Sequence, residues 1–428
     1  MRILILAFRF PPYNASGAVR VGKTTKYLIR LGHDVRVICA GDHPLDQTLP
    51  VEIPKEKILY TSWIDVNHRV KFLLIGKKRS SEALVQEKLI FDNAKGFSHK
   101  SASLFKALTN IPDNRTGWIP YALNSSSSII KEWHPDIIYA SALPVSVHFI
   151  AHILAKKYHI PWIAEFRDLW VDNFNYPYPR FRKKFDGWLE RKILSNAVGF
   201  VTVSEPLAEI LRKKYKKPVL VVMNGADIED FESSPAISNE TILKIIHTGN
   251  IYGGKRDPAP LFKALKLAEI NHDQIRVEFY GRGSDPIIRI SEDHGVDHMV
   301  KHKGTVPYRD ALKLQQEADV LLLLSWNDPA DKGAYTGKLF EYIASGRPIL
   351  FTGLDDDVVA KIIQERNLGF VSNNPAAIAS QLKVWLQQKK GGGIPATPKD
   401  ALQGLTRRDQ TEKLTMFLET ILASNKQN

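Results

Sequence analysis

Residues 1–40 read MRILILAFRFPPYNASGAVRVGKTTKYLIRLGHDVRVICA. The short apolar run from Ile3 to Phe8 reads as a buried strand. A helical pattern follows from about Gly17 to Leu31, and Val35 to Cys39 is a second short apolar run. Strand, helix, strand is the βαβ unit from which parallel sheets are built. At 100° per residue, Arg20, Lys23, Lys26 and Arg30 share one face of the helix, and Ala18, Val21, Thr25 and Leu28 cover the opposite one. This spacing predicts that Lys23 is solvated.

The same stretch matches G-x-x-x-x-G-K-[ST] from Gly17 to Thr24, the pattern of a phosphate-cradling loop. Such a loop follows its strand directly. Here residues 9–16, with Pro11-Pro12 among them, separate Phe8 from Gly17, and Val19, Arg20 and Val21 obstruct close backbone approach. A P-loop NTPase is therefore the last-ranked reading. An amphipathic helix whose amino end approaches a ligand phosphate ranks first.

Beyond Cys39, residues 41–114 read as irregular. The strand and helix grammar then resumes with Ile137 to Ala140, a helix over Val145 to Tyr158, Trp162 to Phe166, Val198 to Val203 and Val219 to Met223. That gives about six parallel strands. Asn224-Gly225 ends the last of them, and Ser233-Ser234-Pro235 with Ser238-Asn239 reads as a linker. The second half repeats the pattern: Leu243 to Ile246, Val277 to Tyr280, Val300 to Lys303, Val320 to Leu324, Pro348 to Phe351 and Phe370-Val371. The expected architecture is α/β, two doubly wound Rossmann-like domains over residues 1–230 and 240–405. Gly391-Gly392-Gly393, Pro395 and Pro398 form a loop before a closing helix over 406–422, which is expected to return to the first domain. Residues 425–428 are expected to fray. Ligands of such domains bind at the carboxyl ends of the strands, so the site is expected in an interdomain cleft.

The 428 residues are 44% hydrophobic and 25% charged, which excludes a disordered, collagenous or disulfide-knotted chain. A lone cysteine, Cys39, and a start without signal-peptide flanks lead to a cytoplasmic expectation. Apolar runs such as Val320 to Leu324 and Phe72 to Ile75 fall far short of the roughly 18 residues that span a bilayer. Net charge is +13, clustered at Lys77-Lys78-Arg79, Arg180 to Lys184, Arg191-Lys192 and Arg212 to Lys217. An anionic partner is expected: nucleic acid, an acidic lipid leaflet or phosphorylated small molecules. Aromatics are not regularly interleaved with the basic runs, so nucleic acid is not expected. His148 and His152 stand four apart on a helix without a third ligand and read as surface or core histidines rather than metal ligands. Gly281-Arg282-Gly283 is too short for a dinucleotide fingerprint. Tyr178 to Leu194 sets Phe181, Phe185, Trp188 and Leu189 among Arg180, Arg182, Lys183, Lys184, Arg191 and Lys192. Either it lies on an anionic leaflet, or it is an ordinary helix with a snorkelling basic face.

Lys338-Leu339-Phe340-Glu341-Tyr342-Ile343-Ala344-Ser345-Gly346-Arg347-Pro348-Ile349 resembles the carboxyl-domain signature of the family 4 retaining glycosyltransferases, which have the GT-B fold. Phe10-Pro11-Pro12 with Gly17, Val203-Ser204, Asn224-Gly225-Ala226-Asp227, Gly249 through Lys255-Arg256, and Gly281-Arg282-Gly283 follow in the family's order. The resemblance implies that Glu341 accepts hydrogen bonds from the nucleotide ribose. It implies that Thr336, Gly337 and Lys338 at a helix start face the diphosphate, with Gly17 facing it from the other domain. Lys255 and Arg256 suit the same diphosphate, because glycosyl transfer develops negative charge on it and fixed cations offset that charge. In the family such cations replace a metal, so neither a metal nor a cofactor beyond the nucleotide-sugar co-substrate is expected.

This chain departs from the family at three places. The usual glutamate eight positions before Glu341 is Gly333, which leaves the sugar open, with Asp328 or Asp331 as substitutes. The common histidine aligns with Arg167, followed by Asp168, in a run that resembles a subgroup transferring amino sugars in capsule and O-antigen assembly; the pair reads as catalytic or as a structural clamp. The arginine after the glycine is Asn250, which moves the cationic work to Lys255, Arg256 and Arg282. The expected activity is transfer of a sugar from a nucleotide diphosphate sugar, UDP first, to a saccharide or lipid-linked acceptor, cytoplasmic or peripheral on the inner face of the plasma membrane. The alternatives are a nucleotide-sugar epimerase and a GT-B-like binding protein without catalysis.

Overall fold

In the computed structural model, residues 1–66, 109–231, 241–251, 256–328, 333 and 335–427 are described. Contacts divide the chain into a first unit, Met1–Thr202, Leu211–Leu220 and Phe417–Asn428, and a second, Val203–Ile210 and Val221–Met416. The expected linker at 233–239 lies outside the described residues.

The first unit follows the order β1 (Arg2–Ala7), α1 (Ser16–Arg30), β2 (Asp34–Ala40), β3 (Ile58–Thr61), α2 (Ile119–Trp133), β4 (Ile137–Ala142), α3 (Ser146–Tyr158), β5 (Trp162–Phe166), α4 (Arg180–Leu194), β6 (Gly199–Thr202), α5 (Glu205–Tyr215) and β7 (Val219–Val221). Its seven-stranded sheet runs β3-β2-β1-β4-β5-β6-β7. β1 lies between parallel neighbours, with Ile3 beside both Val35 and Ile137. The continuous apolar strands Ile3 to Ala7 and Ile137 to Ala140 are buried because helices cover both faces of a parallel sheet. β3 is an edge strand in the stretch read as irregular. Its apolar run, Ile58 to Tyr60, is only three residues long, and Leu59 and Tyr60 on it are exposed.

The second unit follows β8 (Leu243–Thr248), α6 (Ala259–Leu267), β9 (Ile275–Tyr280), α7 (Ser284–Asp293), β10 (Val300–Gly304), α8 (Tyr308–Glu317), β11 (Val320–Leu324), α9 (Gly337–Ala344), β12 (Ile349–Thr352), α10 (Val358–Glu365), β13 (Gly369–Val371), α11 (Pro375–Lys390) and α12 (Arg407–Gln427). The six strands run β10-β9-β8-β11-β12-β13. Period-two alternation divides β11 between two cores: Val320, Leu322 and Leu324 face Leu261, Phe262 and Trp385, while Leu321 and Leu323 face Leu339, Phe340 and Ile343. Each sheet reverses its winding, at β1/β4 and at β8/β11, and crevices for ligands open beyond the carboxyl ends of strands at such points.

Two expectations are corrected. The basic face of α1 is buried except at Arg30. Arg20, Lys23 and Lys26 are 2%, 4% and 3% exposed, with Arg20 on Glu165 and both lysines 2.7 Å from Glu52. Carboxylates supplied by β5 and by the loop after β2 make burial of those cations tolerable. The preference for a helix over a phosphate-cradling loop stands: Gly22 and Lys23 lie in mid-helix and Lys23 is ion-paired. The carboxyl terminus remains helical through Gln427 rather than fraying at 425.

On α4, Arg182 does not belong to an exposed basic face. It is buried, with Nε 2.6 Å from Asp186. Phe181, Phe185 and Trp188 are 51%, 41% and 53% exposed. No helix among the described residues is long and apolar enough to cross a membrane. Cys39 is buried in β2, and burial pushes its thiol well above the ordinary value.

Candidate functional site

In the first domain, Gly17 is the second residue of α1, and Arg167 directly follows β5. The Arg167 guanidinium donates from Nε to the Ala142 carbonyl at 2.7 Å and from Nη2 to the Leu143 carbonyl at 2.9 Å. This places it against Gly17: a Cβ at residue 17 would stand 2.0 Å from Nη1. The two sequence-predicted residues are thus in contact, and only glycine leaves room for the guanidinium. Asp168 is exposed and makes no hydrogen bond or ion pair among the described residues, so the clamp on Arg167 is the carbonyl pair. Desolvation by the protein around it raises the Asp168 carboxyl, opposed by Arg167.

Beneath them lies a network the sequence reading did not assign. Glu165 accepts from Arg20 Nε at 2.9 Å and from the Tyr139 hydroxyl at 2.6 Å, all fully buried. A carboxylate in an otherwise apolar strand, Trp-Ile-Ala-Glu-Phe, is the available signal, since it requires a buried counter-charge. His148 Nε2 lies 3.2 Å from the Ala140 carbonyl and 3.1 Å from that of Glu165. Both partners are acceptors, which fixes the proton on Nε2. His152 Nδ1 faces the Ile193 carbonyl and Asn196. These histidines hold structure, as the sequence reading favoured.

The second domain gathers most of the predicted donor residues at the ends of β8 and β11. Gly249 follows β8 with φ +138°, a backbone state that favours glycine. A Cβ there would stand 2.0 Å from Lys338 Nζ, so the lysine at the start of α9 reaches across to the glycine turn. Asn250 ties two cationic residues to this turn: its carbonyl accepts from Arg256 Nη1 at 3.1 Å, and its Oδ1 accepts from the Arg282 amide at 2.9 Å. Lys255 lies outside the described residues. Thr336 occupies the N-cap of α9 but its side chain caps nothing, and its Oγ1 is buried without a hydrogen-bond partner. The first N–H groups of α9 therefore lack intrahelical acceptors.

Glu341 sits one turn into α9, half-buried. Its Oε2 accepts from Gln315 Nε2 at 3.3 Å, and Gln315 also donates to Thr248 Oγ1 at 2.9 Å. The Tyr342 hydroxyl in turn accepts from the Thr248 amide at 2.9 Å. Burial raises the Glu341 carboxyl, opposed by Gln315, Arg407, Lys338 and Tyr308. Gln315, Tyr308 and Arg407 carried no signal in the sequence, because only folding brings α8 and the start of α12 to α9. His247, buried on β8 with Nδ1 2.8 Å from the Leu322 carbonyl, is held well below its ordinary pKa by burial, Lys338 and Arg256.

Gly333 has φ +99°, and its amide donates to Asp357 Oδ1 at 3.1 Å. That left-handed conformation suits the glycine found in place of the family's glutamate. Asp328 is half-buried, and Asp331 lies outside the described residues.

Residues 68–230 match the family model Glycosyltransferase Family 4. No curated protein matches the chain in sequence. Among solved structures, a sucrose-phosphate synthase from Thermosynechococcus elongatus is similar at 12% identity and TM-score 0.59, covering 100% of this chain and 97% of its own. The apo form of the lipopolysaccharide outer core galactosyltransferase WaaB is similar at 14% identity and TM-score 0.57, covering 98% and 99%. S. aureus MnaA with UDP is similar at 11% identity and TM-score 0.53, covering 99% and 97%. The chain thus carries a Glycosyltransferase Family 4 match over residues 68–230 and has the GT-B fold of two parallel-sheet α/β domains.

Proposed function

We propose that this chain is a retaining glycosyltransferase, independent of metal, that moves a hexosyl or N-acetylhexosaminyl group from a nucleotide diphosphate sugar, UDP first, to a hydroxyl of a saccharide or lipid-linked acceptor. The observation that carries the reading is the second-domain arrangement: a half-buried carboxylate, Glu341, one turn from an uncapped helix start, with Arg256 and Lys338 around the Gly249 turn. An ionised carboxylate accepts two ribose hydroxyls at once. Fixed cations and helix N–H groups suit a diphosphate.

In the proposed transfer, the bond from the anomeric carbon to the diphosphate oxygen breaks with its electron pair on that oxygen. Arg256, Lys338 and, in sequence, Lys255 offset the charge in place of a metal. The acceptor oxygen bonds to the anomeric carbon on the face the diphosphate leaves, and its proton departs. We assign the sugar-proximal roles to Arg167 as a fixed positive charge and to Asp168 as acceptor of the hydroxyl proton. The likeness to WaaB, a lipopolysaccharide outer core galactosyltransferase, and to MnaA with UDP supports cell-surface polysaccharide assembly and a uridine nucleotide. The exposed Phe181, Phe185 and Trp188, flanked by exposed Arg180, Lys184, Arg191 and Lys192, favour a lipid-linked acceptor met at an anionic leaflet.

The test is thermal stabilisation by a panel of nucleotides and nucleotide sugars in EDTA, followed by turnover of the species that bind. UDP and UDP-sugars should raise the melting temperature. No shift with any UDP or GDP species, or a shift with ATP alone, overturns the reading.

A further inference from the structure

We propose that Lys338 is the counter-charge of the donor diphosphate in this chain, taking the place left by Asn250, and that its amine gains a proton when the nucleotide binds. The inference rests on the nucleotide-sugar reading above and adds to it a named group and a linked proton.

The geometry begins at the turn after β8. Position 250 offers no cation, and its carbonyl and carboxamide are engaged with Arg256 and with the Arg282 amide. Lys338 enters from a different element, the second residue of α9. Its Nζ and Cε lie 2.0 and 2.3 Å from where a Cβ of residue 249 would be. The glycine is therefore required twice over, by its φ of +138° and by the amine lying against it. The amine makes no hydrogen bond or ion pair among the described residues, unlike Lys23, Lys26 and Lys389, each of which meets a carboxylate.

The charged and titratable groups facing it do not supply a strong partner. Arg256 is a like charge, and His247 lies buried on β8. Among the described residues Glu341, one turn along α9, is the carboxylate acting on it, and that carboxyl is itself raised by burial. Desolvation first, and then Arg256, bring the Lys338 amine down to about 7, with Glu341 opposing. A basic group in this position holds its proton weakly until an anion arrives. A diphosphate carries that charge, so its binding raises the affinity of the amine for its proton. Near pH 8 the empty site is mostly neutral at Lys338, and binding should draw in a large part of one proton.

The experiment is isothermal calorimetry of UDP, and separately of GDP, at pH 8.0 in Tris and in Tricine, whose different ionisation enthalpies reveal the proton count. At this pH the terminal phosphate of either nucleotide is already ionised, its second pKa being about 6. The wild-type chain should take up more than about half a proton, with uptake declining toward pH 6. Lys338→Met should abolish the uptake and weaken binding about tenfold or more at pH 6.5. Lys338→Arg, charged throughout, should bind without uptake, which also controls for folding. Tight binding by the wild type with no uptake, or equal uptake by Lys338→Met, overturns the inference. Failure of both nucleotides to bind the wild type overturns the nucleotide reading itself.

Discussion

Arg20 and Glu165 meet in a fully buried ion pair, with Arg20 Nε 2.9 Å and Nη2 2.7 Å from the same Oε1. The pair joins α1 to β5 three residues after Gly17 and two before Arg167. It fixes the register of the two elements that bring the Arg167 guanidinium onto Gly17. Desolvation pushes the Glu165 carboxyl up, but Arg20 and Tyr139 outweigh it and hold it below the ordinary value. Glu165→Gln strands a buried guanidinium and should cost about 3–5 kcal/mol in denaturant unfolding. The wild type should in addition lose stability as pH falls from the unfolded carboxylate range through the lower folded value, a loss the variant lacks. A variant as stable as the wild type at pH 7 removes this account.

Gly17→Ala tests the contact above that pair. The new methyl would stand 2.0 Å from Arg167 Nη1, so the guanidinium must leave its two carbonyls. Alanine suits a helix better than glycine, so the melting temperature should change little. Turnover should fall by about tenfold or more through lost positioning. A fully active variant would show that the Gly17–Arg167 contact has no part in the reaction.

For Glu341, the expected signature is selectivity for the sugar of the nucleotide. Glu341→Ala should weaken UDP binding by about 1–3 kcal/mol, the cost of losing a charged hydrogen-bond partner. Dideoxy-UDP should bind the wild type and the variant equally. Unchanged UDP affinity in a folded variant contradicts the ribose assignment.

His148 gives a pH signature unrelated to ligand. Burial lowers its pKa to about 4, against 6.5 for the ordinary imidazole. Above pH 6.5 the ring is neutral in both states. Between 6.5 and about 4 only the unfolded chain takes up the proton, so stability should fall by up to roughly 3 kcal/mol. His148→Gln keeps a donor for the Ala140 and Glu165 carbonyls and should flatten that part of the curve. A pH 7 to 5 loss of unfolding free energy in urea titrations as large in His148→Gln as in the wild type would discard the assignment.

The exposed aromatic side chains of α4 make a membrane prediction. Phe185 and Trp188 stack at 5.9 Å between ring centroids, and Lys192 Nζ lies 5.0 Å from the Trp188 ring. The wild type should co-sediment with phosphatidylglycerol-rich vesicles at low salt, and not with pure phosphatidylcholine. Combining Phe181→Ser, Phe185→Ser and Trp188→Ser should abolish this while leaving nucleotide binding intact. Retained vesicle binding in the triple variant would assign the interaction elsewhere.

Much of the fold was legible because parallel strands covered on both faces write themselves as uninterrupted apolar runs. Ile3 to Ala7, Ile137 to Ala140 and Val320 to Leu324 are such strands. β3 escaped because an exposed edge needs no such run. The site was legible where local sequence carries it: Glu341 in its helix signature, Gly17 after the first strand, Gly249 after β8. It was not legible where two distant elements meet. Helical spacing placed Arg20, Lys23 and Lys26 together correctly and their environment wrongly, because Glu165 and Glu52 come from other parts of the chain. The reach of Lys338 to Gly249 is equally tertiary, as is the hydrogen bonding of Gln315 to Thr248 and Glu341.

Burial of Cys39 has a practical consequence. With its sulfur inside β2 and its thiol held far from ionisation, the native chain is chemically silent to maleimide and iodoacetamide reagents in the folded state. A single cysteine introduced on an exposed helical position, Lys131 on α2 of the first unit or Ser380 on α11 of the second, would then be the one reactive handle, without any need to remove the native residue. Dyes or spin labels attached there would report on each domain separately as nucleotide is added, in a chain otherwise unaltered.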